Sequence, residues 1–151
     1  MWYKLAKHQV REIDTEENWE EADQAEQVFK ISNIRCSSEK NISHVAIENG
    51  EVIGALSSGW CQGETYEGKR VAVFSWDLAV LPEHRKKGVG LSLIKSAMQQ
   101  YEREKEIYAG EDGYSQMRIW VINPVLVPVL ENLGFQIEAE HKDGSAHLNY
   151  Y

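Results

Sequence analysis

The architecture of this chain turns on VAVFSWDLAVLPEHRKKGVGLSLIKSAM, Val71 to Met98. From Val71 to Leu81 the stretch is rich in β-branched and aromatic side chains and holds no Gly or Pro, as a buried strand does. Ala72, Phe74, Trp76, Leu78 and Val80 fall on one face, and Val71, Val73, Ser75, Asp77 and Ala79 on the other. Both faces are largely apolar, which predicts a strand covered on two sides and makes Ser75 and Asp77 the exceptions. From Leu91 the apolar positions switch to Leu91, Ile94, Ala97, Met98 and Tyr101, the three-and-four spacing of a helix laid against a sheet.

Between strand and helix lies Arg85-Lys86-Lys87-Gly88-Val89-Gly90. A helix start leaves backbone N–H groups unpaired and carries the positive end of the helix dipole, so it attracts phosphate. Two glycines spaced by one residue allow a diphosphate to approach the backbone, and Arg85, Lys86 and Lys87 surround it with positive charge. The plainer alternative is a tight turn shaped by Pro82 and the glycines, with solvated basic residues. A dinucleotide fingerprint would need a third glycine and a later acidic residue, and a P-loop would end in Gly-Lys-Ser/Thr; neither is present.

Outward from this stretch, 151 residues predict one domain, 1–151, and no apolar run reaches the roughly 20 residues of a membrane helix. The start, MWYKLAKHQV, lacks the apolar segment of a signal peptide, so a soluble, cytoplasmic protein with no membrane partner is expected. Cys36 and Cys61 form no Cys-x-x-Cys pair, and His8, His44, His84, His141 and His147 show no ligand spacing; no metal is expected. A formal charge of −8 opposes nucleic-acid binding. Between Glu12 and Phe29 there are eight carboxylates and no Lys or Arg. This acidity suits either a cationic partner or simply a solvated helix face.

In chain order, residues 2 to 10 read as a strand. Thr15 to Ser32 reads as a helix, with a capping box from Asp14 and Glu17 and a stripe of Trp19, Ala22, Ala25, Val28 and Phe29. Ser32 to Ile42 is polar, with at most a short second helix. Ser43 to Glu48, an Asn49-Gly50 turn and Glu51 to Trp60 read as a hairpin. Cys61 to Lys69 reads as a glycine-containing loop, a candidate substrate loop. Beyond the central helix, Gln116 to Ile122 is a strand, and Pro124 opens a helix stopped by Gly134. Phe135 to Glu140 and Ala146 to Tyr151 are the last strands. The order β-α-β-β-β-α-β-α-β-β is that of an α/β fold with a mixed sheet and helices on both faces.

Arg-x-x-Gly-x-Gly after a strand ending Leu78-Ala79-Val80 resembles the acyl-CoA-binding segment of the GNAT superfamily of N-acetyltransferases. The later run from Asn123 to Leu133-Gly134-Phe135 matches the family's second segment in spacing, and the element order resembles GNAT proteins over the full length. The resemblance implies acetyl-CoA as co-substrate. Leu78, Ala79 and Val80 would meet the pantetheine arm. Arg85, Lys86, Lys87, Gly88, Val89 and Gly90 would hold the pyrophosphate, and Asn123 the pantetheine or the acceptor. An amine acceptor, cationic if the acidic first helix bears on it, would attack the thioester directly in a ternary complex. A backbone N–H near the end of the central strand would steady the oxyanion.

One position departs from the family. Where many GNAT enzymes carry a tyrosine acid, seven residues after the Asn, this chain has Leu130. Either Tyr114 or Ser115 supplies the proton, or the thiolate leaves unassisted, or the protein does not catalyse and binds acyl-CoA or a protein partner as a regulator. Inside that same helix Pro128 is expected to remove one hydrogen bond and kink the turn that would flank the acceptor pocket. Asp77, a carboxylate in an apolar strand, is the candidate base, with Glu83 and the carboxylates of the first helix behind it; it also reads as a structural acceptor. Trp60 and Trp76 read as core or as cleft walls. The final hairpin is a candidate for pairing in a homodimer.

Overall fold

The computed structural model describes residues 8–34, 40–85 and 87–151, with the backbone course only for residues 63–66. The expectations placed on residues 2–7, Cys36, the side chains of 63–66 and Lys86 lie outside the described residues.

The elements are β1 (Gln9–Glu12), α1 (Trp19–Ile31), β2 (Asn41–Glu48), β3 (Glu51–Tyr66), β4 (Lys69–Val80), α2 (Val89–Ala109), β5 (Tyr114–Val121), α3 (Leu126–Asn132), β6 (Gln136–Glu140) and β7 (Ala146–Tyr150). This is the expected α/β order. The strands hydrogen-bond in the order β1-β2-β3-β4-β5-β7-β6, with β4 and β5 parallel and the other registers antiparallel where they are defined. Among the described residues no helix is long and apolar enough to cross a membrane.

Several boundaries differ from expectation, each for a local reason. α1 begins at Trp19 rather than Thr15, because Asp14 and Asn18 bond each other's backbone instead of capping. The Asn18 side-chain oxygen accepts the Asp14 N–H at 3.1 Å, and Asp14 Oδ1 accepts the Glu16 N–H at 2.8 Å. The expected loop from Cys61 to Lys69 is instead the far end of a long hairpin. Glu67 and Gly68, at φ 52° and 77°, make the same two-residue reversal as Asn49 and Gly50 at 51° and 79°. α3 begins only at Leu126, which puts Pro128 in its first turn, where a missing N–H costs no intrahelical bond. Pro128 therefore removes no hydrogen bond from the helix, contrary to expectation.

The chain divides into two compact units, Met1–Gly59 with Trp76–Gln100, and Trp60–Ser75 with Tyr101–Tyr151. In the first, Ala25, Val28 and Phe29 of α1 pack with Ile42 and Val45 of β2, Val52 and Ala55 of β3 and Ala79 of β4. Gly54 on β3 belongs to this packing. A Cβ there would stand 3.0 Å from Val89 Cγ1 and 3.1 Å from Leu93 Cδ1, so the absence of one lets the first turns of α2 lie on the strand. In the second unit an aromatic cluster forms around Tyr101, with Trp60, Phe74 and Tyr150 at ring distances of 5.6, 5.9 and 5.9 Å. Trp60 also stacks on Tyr108 at 4.5 Å and donates its indole N–H to Glu104. Trp60 is thus held by the core cluster.

Candidate functional site

The site begins where β4 leaves the sheet. Leu81 is extended and its N–H bonds Ile53 O at 2.9 Å, fixing the exit of the strand; Pro82–His84 make one 3-10 turn. Arg85 then turns its side chain back, and Nε donates to Val80 O at 3.0 Å. Ser32 Oγ donates to the same carbonyl at 3.3 Å. Gly88 has φ +82°, a left-handed conformation that a side chain with a Cβ strains to adopt. It releases the chain into α2, whose first residue, Val89, is buried.

The first turn of α2 is braced by Ser92, whose N–H and hydroxyl both bond Gly88 O, at 3.0 and 2.9 Å. His8 Nε2 lies 3.1 Å from the same hydroxyl. Among the described residues nothing stands within 4 Å of where a Gly88 Cβ would point, and Arg85, Lys87 and Gly88 are exposed. The unpaired N–H groups of a first helical turn beside two cationic side chains and open space fit a diphosphate in chemistry and in room. Gly90 is less constrained than its spacing suggests. A Cβ there would meet Leu78 Cδ2 at 3.5 Å and Val80 Cγ2 at 3.8 Å, both ordinary contacts.

Of the strand residues, Leu78 and Val80 are half-buried and Ala79 is in the core. Asp77 is half-buried and pairs with Lys40, whose Nζ is 3.1 Å from Asp77 Oδ2. This partner was not legible in the sequence. Glu83 is exposed in the 3-10 turn. The structure therefore brings Asp77 to Val80, Arg85 and Lys87 to Gly90 into one strand, turn and helix start.

The second unit holds the remaining residues. β5 runs parallel to β4 over Val71↔Tyr114 to Phe74↔Met117, then continues to Val121. Just past its end, Asn123 makes a turn on itself: Oδ1 accepts the Val125 N–H and its carbonyl accepts the Leu126 N–H, each at 3.1 Å. Leu130, at the position of the family's acid, is 1% exposed and belongs to the core. Tyr114 is exposed under Lys69, whose Nζ is 5.2 Å from the ring, and Ser115 is half-buried.

An open groove of about 560 Å³ is lined by Trp120, His141, Asp143, Ser145 and His147. Trp120 pairs with His147 across β5 and β7, and their rings lie 5.9 Å apart. His141 Nε2 and His147 Nδ1 are 3.0 Å apart. Ser145 gives Asp143 Oδ1 two bonds, 2.7 Å from its hydroxyl and 2.9 Å from its N–H, which hold that carboxyl below the usual aspartate range. Sequence reading missed this groove. Trp120 falls on the exposed side of a strand by simple alternation, but its partner depends on a register that spacing does not reveal. Among the described residues, no three His, Cys, Asp or Glu side chains are grouped to hold a metal ion.

Comparison with known proteins bears on the family and the fold. The family described as Acetyltransferase (GNAT) matches residues 3–117. Among solved structures, the NatC complex bound to Gag peptide and CoA shares the fold at TM-score 0.66 and 13% identity, over 96% of this chain and 98% of that chain. An acetyltransferase of the GNAT family from Streptococcus pneumoniae superposes at 0.64 and 12% identity, over 94% and 97%. The ribosomal-protein-S18-alanine N-acetyltransferase from Escherichia coli does so at 0.60 and 13%, over 95% and 92%. No curated protein matches in sequence. With a family match over residues 3–117, most of its length, the chain belongs to the GNAT family of acetyltransferases.

Proposed function

We propose that this protein transfers the acetyl group of acetyl-CoA to a primary amine by direct attack in a ternary complex. The observation that carries the proposal is Gly88 at φ +82°, opening α2 with Arg85 and Lys87 exposed beside it. In this reading the N–H groups of Val89 and Gly90 and the two side chains hold the pyrophosphate. Val80 O already accepts from Arg85 and Ser32. The pantetheine arm therefore takes its backbone bonds from Leu78 and Ala79. Most of the acceleration comes from holding the two substrates together.

Leu130, at the position of the family's acid, lies in the core and has no proton to give the departing sulfur. The thiolate leaves as a good leaving group, or takes the proton that the attacking amine sheds. The same observation favours a second reading, in which the fold binds acyl-CoA as a regulator and transfers nothing.

The test is the melting temperature with saturating acetyl-CoA. Ligand at a hundred times Kd stabilises by about 2.7 kcal/mol, a shift of roughly 5–10 °C for a domain of this size. Gly88→Asn is the control variant, since Asn tolerates the left-handed region and places a side chain in the open cradle. A shift that this variant loses, with CoA release when amines are supplied, supports transfer. A shift without CoA release from any amine supports the regulator, and no shift in the wild-type protein overturns both.

A further inference from the structure

The turn before α2 is tied to the sheet at a point outside the glycine motif. Glu48 ends β2 beside the Asn49-Gly50 reversal, and its Oε2 lies 3.1 Å from Nδ1 of His84, which sits in the 3-10 turn just before Arg85. The two side chains are 16% and 20% exposed, and His84 Nδ1 itself is shut off from solvent. Both residues belong to the same compact unit as Gly88 and the first turns of α2. Among the described residues of the turn, His84 is the one whose side chain reaches β2. Arg85 instead turns back to Val80 O, on the strand it follows. The other bonds of the turn are short in range: His84 N–H to Leu81 O at 2.9 Å and Arg85 N–H to Pro82 O at 3.3 Å. Gly88 has no side chain to lock its left-handed φ. A turn so built has other shapes open to it, and ligand affinity falls with the fraction of molecules out of the binding shape.

The contact between His84 and Glu48 is one of charge. Nδ1 has no well-aligned hydrogen-bond acceptor among the described residues, so a neutral ring gains little from the carboxylate and an imidazolium gains far more. Solvent screens the pair weakly, because both groups are mostly covered. The charges next to the pair are Glu51, opposite Glu48 in the β2–β3 register, and Glu83 and Arg85 on the turn itself. Glu51 and Glu83 favour the charged ring and Arg85 opposes it, but all three are exposed, so Glu48 dominates.

We propose that His84 and Glu48 are positioning residues that hold the glycine turn in the shape that binds acyl-CoA, and that cofactor affinity rises when His84 carries its second proton. The proposal rests on the cofactor half of the reading above and adds a pH-dependent control of that site. Its sign follows from the pair. The imidazolium is present at low pH and is lost as pH rises through the imidazole range, so the pair's contribution to affinity is largest in acid and fades towards alkaline pH. Neither residue has to touch the ligand.

The experiment is calorimetric titration of the full chain with acetyl-CoA at about pH 5.5 and about pH 8.5, on either side of the imidazole range. Four proteins are compared: wild type, Glu48→Gln, His84→Gln and the double variant. The phosphate of CoA changes charge in this range, and a second imidazole, His8, stands at Ser92. Both are the same in all four proteins, so the ratio of variant to wild-type Kd is free of them. Each single variant is expected to raise Kd about 3- to 10-fold at the lower pH and less than about 2-fold at the higher, with the double variant no worse than either single. Melting curves without ligand show that each variant folds. Glu48→Gln leaves the turn's own sequence intact and decides the matter by itself if His84→Gln does not fold. Unchanged Kd in Glu48→Gln at the lower pH, an equal ratio at the two pH values, or effects that add in the double variant overturn the positioning role. The expected ratios without CoA release from any amine support that role and overturn acetyl transfer. No binding of acetyl-CoA by the wild-type protein overturns both.

Discussion

Arg85 Nε donates a 3.0 Å hydrogen bond to the carbonyl of Val80, so the first cationic side chain of the glycine turn is tied to the end of the strand it follows. That bond uses one N–H of the guanidinium and leaves the planar fork for a phosphate. Arg85→Ala should therefore weaken acetyl-CoA binding by about 10-fold or more, whereas Arg85→Lys, which keeps charge but lacks the fork, should fall between. Calorimetric titration with acetyl-CoA checks both. Equal binding by all three proteins would remove Arg85 from the site.

Gly54 contacts no ligand in this account, yet it sets where α2 starts. A methyl group 3.0 Å from Val89 Cγ1 and 3.1 Å from Leu93 Cδ1 is closer than ordinary contact, so these side chains, or the first turns of α2 that carry them, must give by a few tenths of an ångström. Overpacking of this kind costs about 1–3 kcal/mol. Gly54→Ala is expected to lower the melting temperature and to weaken acetyl-CoA binding together, because Gly88 and the first turn of α2 move with Val89. A stable Gly54→Ala protein with wild-type affinity would separate the packing of α2 from the site.

Tyr101 gives a prediction at alkaline pH. Its ring is fully buried, and among the described residues its hydroxyl has no well-formed hydrogen-bond partner. Burial pushes the phenol above the ordinary tyrosine range, opposed in part by the nearby Ser115 hydroxyl. Above about pH 10 the unfolded chain loses this proton before the folded one does. The folded state then binds more protons than the unfolded state, and stability falls as pH rises. The contribution is fully present below pH 10 and is lost through the folded-state value. Tyr101→Phe should remove this part of the alkaline fall and change stability at pH 7 by no more than about 1 kcal/mol. Melting curves from pH 7 to 11 would show it, and identical alkaline slopes in the two proteins would rule it out.

Leu130 shows how far the family's spacing reaches. Counting from Asn123 finds the position of the missing acid, but the count does not show which way that residue faces, and the side chain is 1% exposed. Leu130→Tyr should then not restore an acid. It should overpack the core at a cost of about 1–3 kcal/mol and leave kcat unchanged or lower. Turnover raised tenfold or more by this variant would mean that the hydroxyl does reach the sulfur.

The parts legible in the sequence were those set by short-range chemistry. Asn49-Gly50 marked its hairpin because both residues take positive φ, and the change of period between Val80 and Leu91 marked the strand, the glycine turn and the helix that follows. Glu67-Gly68 makes the same turn and was passed over, because Glu gives no signal for a positive φ. The groove was hidden for another reason. His141 and His147 are six residues apart and on no common helix, and only the pairing of β7 with β5 sets His147 against Trp120.

Asp77 is the residue where local reading and tertiary contact diverge most. In sequence it is a carboxylate stranded among Phe74, Trp76, Leu78 and Val80, which reads as a base; in the fold Lys40, distant in sequence, brings its ammonium to 3.1 Å. Both partners keep some exposure, so the pair contributes little beyond position, about 1 kcal/mol at most. With its carboxylate committed to Lys40, Asp77→Asn should lower stability by that small amount and change kcat by less than about threefold, since general-base loss costs roughly 100-fold or more. Lys40→Met should lower stability to a similar degree, and the double variant should cost less than the sum, as contacting partners do. Steady-state kinetics on Asp77→Asn decides the matter: a 100-fold fall in kcat with acetyl-CoA binding unchanged would return the base to Asp77.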